Sequence, residues 1–152
     1  MTSSTSPVPD VLDAPDDADA SGIPDRVTVV FDGTCGFCTR CVRYLHKLDR
    51  HGRVTSIACQ VATADPAFEL GDIDCGTSAW AIVADGRREA GGQAATLVAS
   101  VLLRKRWPVT VGRLPGIRHI LAFGYRQIAI NRYRFPGDTP FCSANPGRCG
   151  TA

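Results

Sequence analysis

The stretch 27-VTVVFDGTCGFCTRC-41 decides how this chain is read. Its first five residues are β-branched or aromatic, the pattern of a short buried strand. Asp32-Gly33 breaks that run. Cys35, Cys38 and Cys41 then follow at a spacing of three. A helix is expected from about Cys35 to Arg50. Cys38, Cys41, Val42, Leu45 and Leu48 form its apolar stripe; Thr39, Arg40, Arg43, His46, Lys47 and Arg50 fall on the other side. Gly52 is the expected stop.

Three readings compete for the cysteines. A ferredoxin-type cluster would want a further Cys at position 45, which is Leu45. A zinc site would want a second pair of Cys or His at ligand spacing, which neither Cys142 and Cys149 nor the lone histidines supply. The redox reading needs nothing more. Cys35 and Cys38 in C-x-x-C lie about one helical turn apart, within reach of a disulfide. The first sits where unpaired N–H groups and the positive end of the helix dipole converge. A thiolate there is stabilised and attacks; the second cysteine resolves the mixed disulfide. Cys41 lies on the apolar stripe and is read as packing. Asp32, at the strand end, either caps the turn or takes and relays a proton when Cys38 attacks. Gly33 is read as supplying a turn conformation.

Downstream, 54-VTSIAC-59 is a second strand candidate and 60–78 is irregular, with a short helix near Pro66–Leu70. A third strand, 79-AWAIVA-84, meets the hairpin signal Asp85-Gly86, so 87-RREA-90 should return antiparallel. A helix is expected over about Gln93–Arg106, ended by Pro108. A last helix should run from about Gly116 to Tyr133, with Ile117, Ile120, Leu121, Gly124 and Ile128 as its stripe. Its arginines, Arg118, Arg126 and Arg132, with Arg134 just beyond, should point outward or rim the redox site. The end, 136-PGDTPFCSANPGRCGTA-152, is turn-rich. Cys59 is read as packing and Cys75 as an exposed loop residue. Cys142 and Cys149 are expected as free thiols, with mutual pairing or a reach back to the active site as the alternatives.

The chain has 152 residues, enough for one domain. Residues 1–25, MTSSTSPVPDVLDAPDDADASGIPD, carry six Asp and no Lys or Arg and read as a disordered acidic tail. They lack the basic start and apolar core of a secretory signal, so a cytoplasmic location is expected. The domain is expected over 26–142, with 143–152 as an irregular tail. Residues 26–99 hold eight basic against eight acidic residues; from residue 100 there are nine basic and only Asp138. These charges are scattered, which reads as a solvated face and not as a nucleic-acid site. The apolar runs are far too short for an integral membrane segment.

The segment 32-DGTCGFC-38 resembles the D-x-x-C-x-x-C motif of the DCC family of thiol-disulfide oxidoreductases. The likeness continues through 41-CVRYLHKLDR-50, Gln60, Asp85-Gly86, Gln93-Ala94-Ala95, Trp107 and 125-YRQIAINRYRFPG-137, followed by Cys142. It implies a thioredoxin-like α/β fold, a mixed sheet with flanking helices and an added C-terminal helix. It also implies Cys35 and Cys38 as the redox pair and Asp32 as the motif acid. The expected partners are a thiol or disulfide substrate, protein or small molecule, and an external reductant or oxidant; no cofactor and no metal are expected. The rival is a non-enzymatic metal-binding or redox-sensing adaptor. The chain departs from the pattern at Val61, where the family's usual serine is absent. At 76-GTSAW-80 it lacks the proline that precedes the third strand in thioredoxins.

Overall fold

Alternation along the first strand sets up two layers. In the computed structural model, which describes residues 22–65 and 73–149, β1 (Val27–Phe31) sends Val27 and Val29 to one face of the sheet and Val30 to the other. β2 (Val54–Ala58) pairs with β1 in parallel, so the two strands end together, Phe31 opposite Ala58. β3 (Trp80–Ile82) lies antiparallel on the other side of β1, and β4 (Arg88–Ala90) returns antiparallel beside it, as the Asp85-Gly86 signal requires. The sheet order is β2-β1-β3-β4. With its flanking helices it is a thioredoxin-like arrangement.

The connection from β1 to β2 is α1 (Gly36–Leu48), a parallel crossover. Lys47 places a cationic side chain at its negative end. Asp49 then accepts the N–H groups of Arg53 and Val54 at 3.0 and 2.7 Å, which fastens the helix end to the start of β2. Asp49 is held below the usual carboxylate range: burial opposes ionisation, but these backbone donors outweigh it.

Val27, Val29, Val54, Ala81 and Val83 pack against α3 (Gly91–Leu103) through Ala94, Leu97, Val98 and Val101. Ile23 joins this core, although it falls within the stretch read as tail. On the opposite face Val30 packs with Cys59 and Ala62 of α2 (Cys59–Ala64). Cys59 therefore opens a helix where the sequence reading ended a strand on it. The helix expected near 66–70 lies outside the described residues.

Pro108 does not end α3. The helix stops at Arg104, whose backbone takes the left-handed conformation (φ 51°), and Pro108 sits in the first turn of α4 (Trp107–Gly112), where its missing N–H costs nothing. α5 (Pro115–Asn131) packs on α3 and α4 rather than on the first helix. Its inner face is Ile117, Leu121, Tyr125 and Ala129, a rotation of the predicted stripe that leaves Ile120 and Ile128 exposed. Gly91 and Gly92 permit that approach. A Cβ on Gly91 would stand 3.1 Å from the Tyr125 ring and one on Gly92 3.0 Å from Leu121. The turn-rich end contains one more short helix, α6 (Phe141–Ala144).

No helix among the described residues is long and apolar enough to cross a membrane.

Candidate active site

Because β1 and β2 run parallel, Asp32 and Gln60 leave the sheet at the same end, close together in space though 28 residues apart. Gln60 bridges the turn after β1. Its Nε2 donates to Asp32 Oδ1 at 3.0 Å, and its Oε1 accepts the Gly33 N–H at 3.0 Å. Thr34 donates to the same carboxylate oxygen from its backbone N–H at 2.9 Å and from its hydroxyl at 2.6 Å. The turn-capping role expected of Asp32 is thus present in the geometry.

The other carboxylate oxygen faces the end of α5. Arg132 Nη2 approaches Asp32 Oδ2 to 3.0 Å, with both side chains largely buried, and Tyr133 donates its hydroxyl to the same oxygen at 3.4 Å. Arg132 also donates to the carbonyl of Gly76 and to the Tyr133 hydroxyl. Burial alone would raise the Asp32 pKa. The hydrogen bonds from Thr34 and Gln60 and the charge of Arg132 overcome it and hold the carboxyl below its usual range. Asp32 is therefore ionised at neutral pH and accepts hydrogen bonds without donating any.

Cys35 is the N-cap of α1 and is fully buried. Its sulfur accepts the backbone N–H of Cys38 at 3.2 Å. Cys38 is half-buried and its thiol is pushed up, first by burial, then by the hydrogen bond and charge of Cys35; Asp32 adds to this and Arg132 opposes it. Cys38 lines an apolar groove of about 470 Å³ between α1, α3 and α5, floored by Val29 and Ala81. That groove explains why α1 buries none of its residues fully. Cys41, read from the sequence as packing, is instead exposed on the groove wall. Its thiol is also raised, chiefly by the desolvation of its inward side. Among the described residues no three His, Cys, Asp or Glu side chains are gathered as metal ligands would be.

Gly33 is required for space and not, as the sequence reading held, for turn conformation. A Cβ there would stand 2.8 Å from Ala58 Cβ, 2.8 Å from Cys142 Sγ and 2.9 Å from Gln60 Oε1. The four remaining cysteines are not free thiols: Cys59 is bonded to Cys75 and Cys142 to Cys149. The pairs are 16 and 7 residues apart in sequence, with Cα atoms 6.0 and 5.5 Å apart.

Gln60, Arg132 and Tyr133 carried no assigned role in the sequence reading, beyond Arg132 as one of several arginines free to rim the site. A signal for Gln60 was available, since it follows the strand parallel to β1. Arg132 and Tyr133 had one too, since they belong to the NRY segment of 125-YRQIAINRYRFPG-137, the stretch that carries the resemblance.

No curated protein and no solved structure matches the chain. A model of the DCC1-like thiol-disulfide oxidoreductases matches residues 29–138, from β1 through the α1–α5 framework to the segment that returns to the cysteine turn. The chain belongs to the DCC1-like thiol-disulfide oxidoreductase family.

Proposed function

We propose that the protein exchanges disulfides through Cys35 and Cys38, with Asp32 assisting proton movement. The observation that carries this reading is the Cys38 N–H donated to Cys35 Sγ at the start of α1. A sulfur at the helix start, with Cys38 one turn further in, is placed to act as the attacking group. The raised Cys38 thiol keeps its proton until it is needed to resolve the mixed disulfide. Asp32 is ionised and lines the same groove as Cys38, which supports its part in proton movement there.

The substrate is a thiol or disulfide, and the groove beside Cys38 supports one with apolar surface next to its sulfur. The reading places the protein in the cytoplasm, where disulfides are transient and catalytic more often than structural. No bound cofactor enters the exchange; electrons come from or go to a second thiol system. The domain that performs it spans residues 26–142, with Ile23 from the preceding stretch packed into its core.

Thiol trapping tests this. Cys38→Ser should accumulate a mixed disulfide on Cys35 with glutathione or a disulfide peptide, and Cys35→Ser should not. Equal trapping by both variants would remove the role assignment.

A further inference from the structure

We propose that Cys142–Cys149 is a second redox couple, which trades electrons with Cys35 and Cys38 inside the chain. This rests on the exchange reading above.

The segment 135–142 is stitched over the cysteine turn. Phe135 stacks on Phe37 with ring centroids 5.1 Å apart, and Asp138 pairs with Arg43 at 2.9 Å. Asp138 donates its N–H to the Gly36 carbonyl at 3.0 Å, Phe141 to Thr39 Oγ1 at 3.1 Å and Cys142 to the Gly33 carbonyl at 2.9 Å. A Cβ on Gly36 would collide with the Asp138 carbonyl, so the two backbones are as close as chain can come to chain. The last stitch puts Cys142 against Gly33, two residues before Cys35, with its sulfur where a Cβ on Gly33 would stand.

Two further features suit this disulfide to exchange. Cys35 has no exposed surface, whereas Cys38 opens to the groove and Cys149 is half-buried. Cys149 thus has the access to solvent that Cys35 lacks. Gln60 Oε1 lies 3.8 Å from Cys142 Sγ and is bonded through its own amide group to Asp32, so a hydrogen-bond acceptor already faces the sulfur that becomes a thiol on reduction. Cys59–Cys75 also has a half-buried member, Cys75, and an acceptor, the Ile73 carbonyl, 3.9 Å from its sulfur, but Cys59 is buried in the Val30, Ala62 and Ile57 cluster and lies outside the strap.

The step balances without an outside reagent. The Cys35 thiolate attacks Cys142 Sγ; the Cys142–Cys149 bond breaks and Cys149 leaves with the electron pair and takes up a proton. Cys38 then gives up its proton and attacks Cys35 Sγ, releasing Cys142, which is protonated. The Cys35/Cys38 dithiol has lost two electrons and two protons to the strap disulfide. A substrate disulfide reoxidises Cys142 and Cys149, and the sequence also runs in reverse.

The test uses the full chain carrying Cys38→Ser and Cys149→Ser, oxidised with glutathione disulfide, acid-quenched, alkylated and mapped by peptide mass spectrometry. A Cys35–Cys142 cross-link, formed at a rate independent of protein concentration, is the expected product. If Cys35 in Cys38→Ser captures glutathione but never links to Cys142 in the double variant, the relay is overturned and the exchange reading stands. If Cys35 is inert to both, both are overturned. A second measurement needs no variant. Across a glutathione series on the wild-type chain, the two pairs should titrate within about a hundredfold of each other in redox ratio. A strap disulfide that stays oxidised beyond that span is a structural clamp, and the relay is wrong.

Discussion

Arg132 Nη2 lies 3.0 Å from Asp32 Oδ2 and joins the end of α5 to the end of β1. The pair is nearly closed to water, so removing one partner strands a charge. Arg132→Met should cost about 3–5 kcal/mol in urea unfolding, the range for breaking a buried ion pair. Asp32→Asn together with Arg132→Met should cost less than the two single losses added. A double-mutant cycle with no coupling would mean the pair contributes nothing to the fold.

Asp32→Asn tests the proton role against the capping role. The proton role expects exchange to slow by at least about tenfold, the low end of what acid–base assistance contributes to a rate being about a hundredfold. The capping role alone expects a loss of about 0.5–2 kcal/mol in stability with near-normal rates. Stopped-flow exchange and a melt on the same variant decide between them.

The acid limb of stability carries a second signature of Asp32. Its folded-state pKa is lowered, so the stability linked to it is present above the unfolded carboxylate value of about 3.9 and is lost as pH falls through the folded value. Asp32→Asn should flatten that limb relative to wild type. Asp49, lowered in the same way, will keep part of the slope.

Cys38 sets the alkaline limb in the reduced protein. Its folded-state pKa is raised, so the linked stability is complete below the unfolded thiol value of about 8.5 and is lost as pH rises toward the folded value. Reduced wild type should lose stability between about pH 8 and pH 10 more steeply than Cys38→Ser. Iodoacetamide should label Cys38 slowly at neutral pH and faster only above the ordinary thiol range.

Gly33→Ala forces a methyl group to within 3 Å of Ala58, Cys142 and Gln60 together. Overpacking of this kind costs about 1–3 kcal/mol. The strap side can yield more readily than the strand, so the variant should also show faster reduction of Cys142–Cys149 by glutathione. Differential alkylation reads this directly.

Truncation after Trp107 removes α5 and the strap. It uncovers the α3 surface at Gly91 and Gly92, takes Arg132 from Asp32, and deletes the Tyr125 hydroxyl that accepts the Ala79 N–H at 2.7 Å. The fragment 26–107 should therefore be insoluble or unfolded. A cooperative melt with full exchange would make α5 an accessory.

What the sequence determined by itself is local. The β-branched run, the Asp-Gly break, the C-x-x-C and the three-to-four stripe lie within some twenty residues, and their propensities agree with one another. β1, α1 and the N-cap position of Cys35 follow from that agreement, as does the β3–β4 hairpin from Asp85-Gly86. Boundaries were less legible where two signals competed. Pro108 reads as a stop, but a proline in the first turn of a helix is equally unstrained, and the left-handed Arg104 had already ended α3. Tertiary structure alone decided what surrounds Asp32 and which cysteines bond. Arg132 reaches the carboxylate because α5 closes on α3 at Gly91 and Gly92; its NRY segment marks it in the sequence, but not the group it meets. Cys142 reaches the active turn because Phe135, Asp138 and Phe141 fasten the strap to Phe37, Gly36, Arg43 and Thr39 of α1 and because Gly33 leaves it room. Cysteine spacing cannot encode such meetings, since a disulfide depends on Cα atoms brought within about 4.4–6.8 Å by the packing of the whole chain.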